Sequence, residues 1–185
     1  MRKLVQVLLT IIMLSVAVLI IIDSQRIVDT GTGNGAAILW DNDFENFVSS
    51  LSEDCESDME KVTVYREWII ENISYDYDYE TLFYQTFDVD DILQKRKGVC
   101  FDYACLFAAM CRSQDIPCIV LDGTYRTDNT FRHAWNRVYV NGQWWSVDTT
   151  RDHTARSEGS EEMGFVPVGT DPNVEDKYFI VHQTF

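Results

Sequence analysis

Apolar residues recur at helical spacing in several stretches of this chain and in alternation in others, with turn signals between them. Trp40, Phe44, Phe47, Val48 and Leu51 share one face of a helix over Trp40–Leu51. Val62, Tyr65, Trp68, Ile69 and Ile73 do the same over Met59–Ile73, and Asp91–Lys97 reads as a shorter helix. From Cys100 to about Gln114, the positions Cys100, Ala104, Phe107, Ala108 and Cys111 form a stripe that faces the core. Gly98 lets the chain turn sharply into that helix, and Pro117 lies just beyond its end. Ile116–Leu121 reads as a strand followed by the Asp122-Gly123 turn signal. Asn141-Gly142, between Val138-Tyr139-Val140 and Gln143-Trp144-Trp145, predicts a hairpin with a two-residue turn. Arg151–Asp176 carries Pro167, Pro172 and several glycines and reads mostly as loop, placed to overhang a cleft. Helices first and an antiparallel sheet second predict an α+β domain.

The N-terminus has a different pattern. Arg2-Lys3 precede Leu4–Ile22, an apolar run of about 19 residues that is long enough to span a bilayer. No small-x-small cleavage site follows it, so residues 1–22 are expected to be an uncleaved signal anchor, with a cleaved secretory signal as the alternative. Positive charge before the span orients the remainder outward. Residues 23–37 are polar and glycine-containing and read as a tether, with Gly31-Thr32-Gly33-Asn34-Gly35 too incomplete for a phosphate loop. Residues 38–185 then form one domain, long enough to bury a core.

Charge narrows the partners. A formal net charge of −15 makes a poor nucleic-acid binder and suits basic or amine-bearing substrates. Five cysteines are many for an exported domain. With Cys100 free, Cys55, Cys105, Cys111 and Cys118 form up to two disulfides in any of three connectivities, or stay as buried thiols; spacing leaves both open.

The candidate chemistry lies in Cys100, His133 and Asp148. A thiol, an imidazole and a carboxylate are the parts of a nucleophile, its base and the group that orients the base. Cys100 falls in the first turn of its helix, where the dipole and unpaired N–H groups favour a thiolate and can donate to a developing oxyanion. Continuing the hairpin register from Val140–Gln143 sets Trp135 opposite Asp148 and His133 opposite Thr150. His133, Trp135 and Asp148 then share a face, with Asp148 diagonal to His133. A one-residue bulge would move Asp148 to the other face. Each residue also has a plain structural reading: a small core hydrophobe, a satisfied strand histidine, a turn carboxylate. What favours chemistry is that each falls where the others need it.

Gly98-Val99-Cys100 with Asp102-Tyr103-Ala104, then His133-Ala134-Trp135-Asn136, then Trp144 through Asp148-Thr149-Thr150, resembles the transglutaminase-like superfamily over roughly residues 60–152. The resemblance implies a papain-like core, with helices bearing the Cys packed on an antiparallel sheet bearing His and Asp. It implies Cys100 as nucleophile, His133 as general base and Asp148 as orienting partner, acting through a thioester on glutamine or peptide amides. Transfer to an amine and hydrolysis by water remain open, as does a non-catalytic peptide or wall-polymer binding module. An exported or membrane-anchored bacterial member acting on protein or peptide substrates is the implied setting. Nothing matches the calcium loops of the large animal members, so no metal or cofactor is carried over. Tyr178-Phe179-Ile180-Val181 resembles a strand that often follows the Asp motif. Gln94, six residues before Cys100, is a candidate second oxyanion donor or an exposed helix residue. Tyr75, Tyr77 and Trp135 are candidate cleft residues, since the Ser74–Tyr79 loop offers apolar area and hydroxyls together. His153 and His182 lack the strand placement of His133 and read as structural or exposed.

Overall fold

The structure is a computed structural model that describes residues 5–13, 27–29, 37–78, 86–169 and 179–184. Its centre is a five-stranded antiparallel sheet with a helix laid against one face. The sheet comprises β6 (Cys118–Tyr125), β7 (Arg132–Val140), β8 (Gln143–Val147), β9 (Val166–Gly169) and β10 (Phe179–Thr184), in the order β10-β6-β7-β8-β9. The Asn141-Gly142 turn holds the expected hairpin register from Val140↔Gln143 to Asn136↔Val147. Both turn residues have positive φ, 55° and 82°, as a type I′ turn requires. The strand resembling the one after the Asp motif is present as β10.

The helix against the sheet is α5 (Cys100–Arg112). Its expected single apolar stripe is too narrow a description: every residue from Phe101 to Cys111 except Asp102 is buried. The helix is enclosed by β6 and β7 on one side and by α3 (Asp58–Asn72), α4 (Val89–Lys95) and α6 (Thr149–Glu158) on others. A helix apolar all round needs such enclosure. Two polar contacts fix its position. Asn136 on β7 donates from Nδ2 to the Ala104 carbonyl at 2.9 Å, and the Tyr103 hydroxyl donates to the Ile73 carbonyl at 2.6 Å.

Helix α2 spans Asn42–Leu51, not Trp40–Leu51. Asp41 caps it by accepting the Phe44 N–H at 3.0 Å, so Trp40 falls outside, in strand β2 (Ala37–Trp40). Part of the expected tether is also a strand: β1 (Ile27–Asp29) pairs antiparallel with β2, which pairs parallel with β4 (Thr86–Asp88). The rest of the tether lies outside the described residues. Residues 5–13 are helical (α1) with exposed apolar side chains, while the remainder of the expected anchor lies outside the described residues. No described helix is long and apolar enough to cross a membrane.

Asp122-Gly123 is not a turn, because β6 continues through it to Tyr125. Gly123 is there for closeness: a Cβ would meet the Ile180 carbonyl oxygen of β10 at 1.9 Å. Residues 151–158, expected as loop, belong to α6, which spans Thr149–Glu158. All five cysteines are free thiols, with Cys105, Cys111 and Cys118 buried.

Candidate active site

Three local structures converge on one cleft of about 1040 Å³. The first is the start of α5. Strand β5 (Lys97–Gly98) pairs in parallel with β3 (Ser74–Tyr75), setting Gly98 opposite Tyr75, and the chain enters the helix two residues later. Gly98 does not supply a positive-φ turn. A Cβ there would sit 2.8 Å from Asp102 Cβ and 3.0 Å from Ile92 Cδ1, so glycine is needed for packing. Asp102 reaches back to accept the Val99 N–H at 2.9 Å. Burial raises the Asp102 carboxyl above its ordinary range against that bond. The cap residue Val99 has no side chain able to take first-turn N–H groups, and Val99, Cys100 and Phe101 at this helix start all line the cleft.

The second is β7 with the end of β8. His133 is buried, and its Nε2 lies 2.6 Å from Asp148 Oδ2. The ring also makes a side-chain hydrogen bond with Cys100, for which Nδ1 is the nitrogen left. Burial opposes the charged ring, but the adjacent Asp148 carboxylate, by charge and by hydrogen bond, and then Cys100 outweigh it. His133 is pushed up to about 10. The imidazole stacks with two aromatic rings: Tyr125 at 4.8 Å and 21°, and Trp135 at 6.2 Å and 9°.

The third is α6. The register runs without a bulge to Val147, and Asp148 then leaves the strand as the N-cap of α6, accepting the Arg151 N–H at 2.9 Å through Oδ1. The diagonal to His133 is kept, and the carboxylate caps a helix as well. Thr150, Thr154 and Glu158, spaced one turn apart, make α6 one wall of the cleft. Thr150 is buried, and its hydroxyl has no hydrogen-bond partner among the described residues. Asp152, fully buried, accepts Arg66 Nε at 2.8 Å and the Met163 N–H at 2.6 Å, which pins the helix to α3.

Of the remaining candidates, Tyr75 and Tyr77 line the cleft, Tyr77 being 80% exposed at its rim. Trp135 does not: it is buried behind His133 against Leu121. Gln94 is an exposed residue of α4 that does not line the cleft, so the structure does not bring it to Cys100. His153 lies on α6, where its Nδ1 is 3.0 Å from the Ile70 carbonyl, a structural tie. His182 lies on β10. Among the described residues no cluster of His, Cys, Asp or Glu is arranged to hold a metal ion. Tyr125 and the α6 wall had no part in the expectations from sequence. Extending β6 through Gly123, which pairs with His133, puts Tyr125 on the same face and would have found it.

Residues 45–149 match the family model described as the Transglutaminase-like superfamily. The chain is 37% identical over 113 residues to the mouse protein named Kyphoscoliosis peptidase, a match covering 56% of this chain and 17% of that protein. The human protein of the same name is 35% identical over 116 residues, covering 57% of this chain and 18% of its own. The chain thus aligns with under a fifth of these relatives' length. The crystal structure of a proposed cysteine protease from Cytophaga hutchinsonii superimposes with a TM-score of 0.52 at 23% identity, covering 78% of this chain and 49% of that one. That likeness is one of fold.

Proposed function

Because this chain belongs to the transglutaminase-like superfamily, we propose that it is a thiol-dependent acyl-transfer enzyme acting on glutamine or peptide amide bonds. Cys100 is the nucleophile, His133 its base and Asp148 the carboxylate that orients the base. One observation carries the reading: an imidazole bonded to Asp148 at 2.6 Å and to the Cys100 thiol, at a helix N-terminus inside a cleft. A histidine held protonated beside a thiol favours the thiolate form, which is the reactive one.

In the first half-reaction Sγ attacks the amide carbon and the carbonyl electron pair moves onto oxygen. The C–N bond then breaks, with the leaving nitrogen taking its proton from His133. In the second, an acceptor gives its proton to His133 as it attacks the thioester, and the C–S bond breaks to return the thiolate.

The acceptor is an amine or water. The mouse and human relatives are named as peptidases, which favours water for this chain too. A protein or peptide is the substrate in either case. We place the domain outside the cell, held by Leu4–Ile22; the exposed Val, Leu and Ile side chains of α1 support that reading.

The test is the rate of Cys100 alkylation by iodoacetamide against pH, read by mass spectrometry on the full chain and on His133→Ala. A thiolate that titrates well below the free value of about 8.5, and rises in the variant, supports the enzyme. An ordinary thiol unchanged by the substitution leaves a peptide-binding module instead.

A further inference from the structure

Thr150 lies second in α6 and is 6% exposed, yet its hydroxyl has no hydrogen-bond partner among the described residues. A helical threonine can spend its hydroxyl on the carbonyl four residues back, as Thr154 does on that of Thr150 at 3.1 Å. Four residues before Thr150 the chain is still strand β8, so no helical carbonyl waits there. An unpaired buried hydroxyl carries a desolvation penalty that a ligand's polar group relieves, and Thr150 lines the cleft.

The other end of the same wall is acidic. Glu158 lies two turns beyond Thr150, about 12 Å along the helix axis. It lines the cleft together with Glu161. Neither carboxylate has an ion pair with any described residue, and the cation beside them in sequence, Arg156, is committed to Glu67 and Glu162. Elsewhere in the cleft Asp76 holds Lys97 at 2.8 Å and Arg132 pairs with buried Asp122. Arg151 lines it at the Asp148 end of α6. The wall therefore runs from a cation near the triad to two uncompensated carboxylates at its far end.

We propose that this wall is a substrate subsite: Thr150 hydrogen-bonds the main chain of an extended peptide, and Glu158 with Glu161 takes a lysine or arginine side chain further along it. An extended chain advances about 3.3–3.6 Å per residue, which sets the basic residue three or four positions from the one that Thr150 holds. The subsite rests on the Cys100 reading above and gives it a substrate class, polypeptides with a basic residue at a fixed distance from the amide attacked. Both carboxylates are exposed, so their contribution is modest and falls with salt.

The test uses chloroacetyl peptides of alanine carrying a single lysine, or norleucine as its uncharged counterpart, at each position in turn. Peptidyl chloromethyl ketones of the same sequences cover the opposite chain direction. Both label Cys100 without any acyl transfer, and each rate is divided by that of iodoacetamide on the same chain. In the full chain lysine should react roughly 3- to 10-fold faster than norleucine at one or two adjacent positions, the worth of one or two exposed charge pairs. Glu158→Gln with Glu161→Gln should abolish that preference. Glu53→Gln with Asp54→Asn, the same charge change at an exposed turn outside the cleft, should keep it. Thr150→Val should slow lysine and norleucine peptides alike, by roughly 3- to 10-fold, with Thr150→Ser restoring them. No lysine preference in either series, a preference lost equally in the Glu53 and Asp54 control, or Thr150→Val peptides reacting as in wild type would overturn the subsite. The triad is read separately, from the iodoacetamide pH profiles of wild type and His133→Ala. An ordinary thiol there with the lysine preference intact would remove acyl transfer and leave the subsite to a peptide-binding module.

Discussion

Arg66 on α3 and Asp152 on α6 meet as a buried ion pair, Nε to Oδ2 at 2.8 Å, one turn from the carboxylate that holds His133. Glu162 closes on the same guanidinium and on Arg156, whose hydrogen bonds hold the Glu162 carboxyl near 2. Burial lifts the Asp152 carboxyl above its ordinary range, against the pull of Arg66.

Arg66→Met should therefore cost roughly 3–5 kcal/mol of stability, the range for removing one partner of a buried pair. Denaturant melts would give the number. Turnover should fall as well, because α6 positions Asp148. A variant that keeps both stability and turnover would mean that the pair does not hold α6.

Gly123→Ala puts a methyl group where the Ile180 carbonyl already lies. Strand β10 must then move off β6 at the position paired with His133. An overpacking cost of roughly 1–3 kcal/mol follows, seen as a thermal midpoint lower by several degrees. Gly142→Ala is the comparison, since nothing lies within 4 Å of a Cβ there and only its φ of 82° is strained.

His133 is raised from 6.5 to about 10 in the folded chain, so folding binds its proton more tightly than the unfolded state does. Its contribution to stability is full below about pH 6.5 and is lost as pH climbs through about 10. Buried Cys105 and Cys111, raised by burial, push stability the same way at high pH, so a single profile would not isolate the histidine. Subtracting the profile of Asp148→Asn does. The difference between the two chains should shrink from pH 7 to pH 10, and a difference independent of pH would remove His133 as its source.

Native-state labelling should modify Cys100 first and Cys55 next, because both are half-buried while the other three thiols lie in the core. Unfolding in denaturant should release five reactive thiols whether or not reductant is present. A lower count without reductant would reveal a disulfide.

The hairpin was legible because Asn-Gly fixes turn type and register together, and register carries His133 toward Asp148 without further information. The Cys100 helix was legible from its apolar spacing. Helix α6 was not, because its buried positions are Thr149, Thr150, Asp152 and Ala155, three of the four polar: a helix that walls a cleft and carries a buried ion pair has no apolar stripe. Asp122-Gly123 and Trp40 fail differently. Dipeptide and spacing signals describe one chain segment, whereas Gly123 answers to β10 and Trp40 to the cap at Asp41 beside it.

Asp148 spends one oxygen on His133 and the other on the first turn of α6. Because both bonds belong to one carboxylate, fraying of the first turn of α6 and loss of the imidazole's partner are coupled events rather than independent ones.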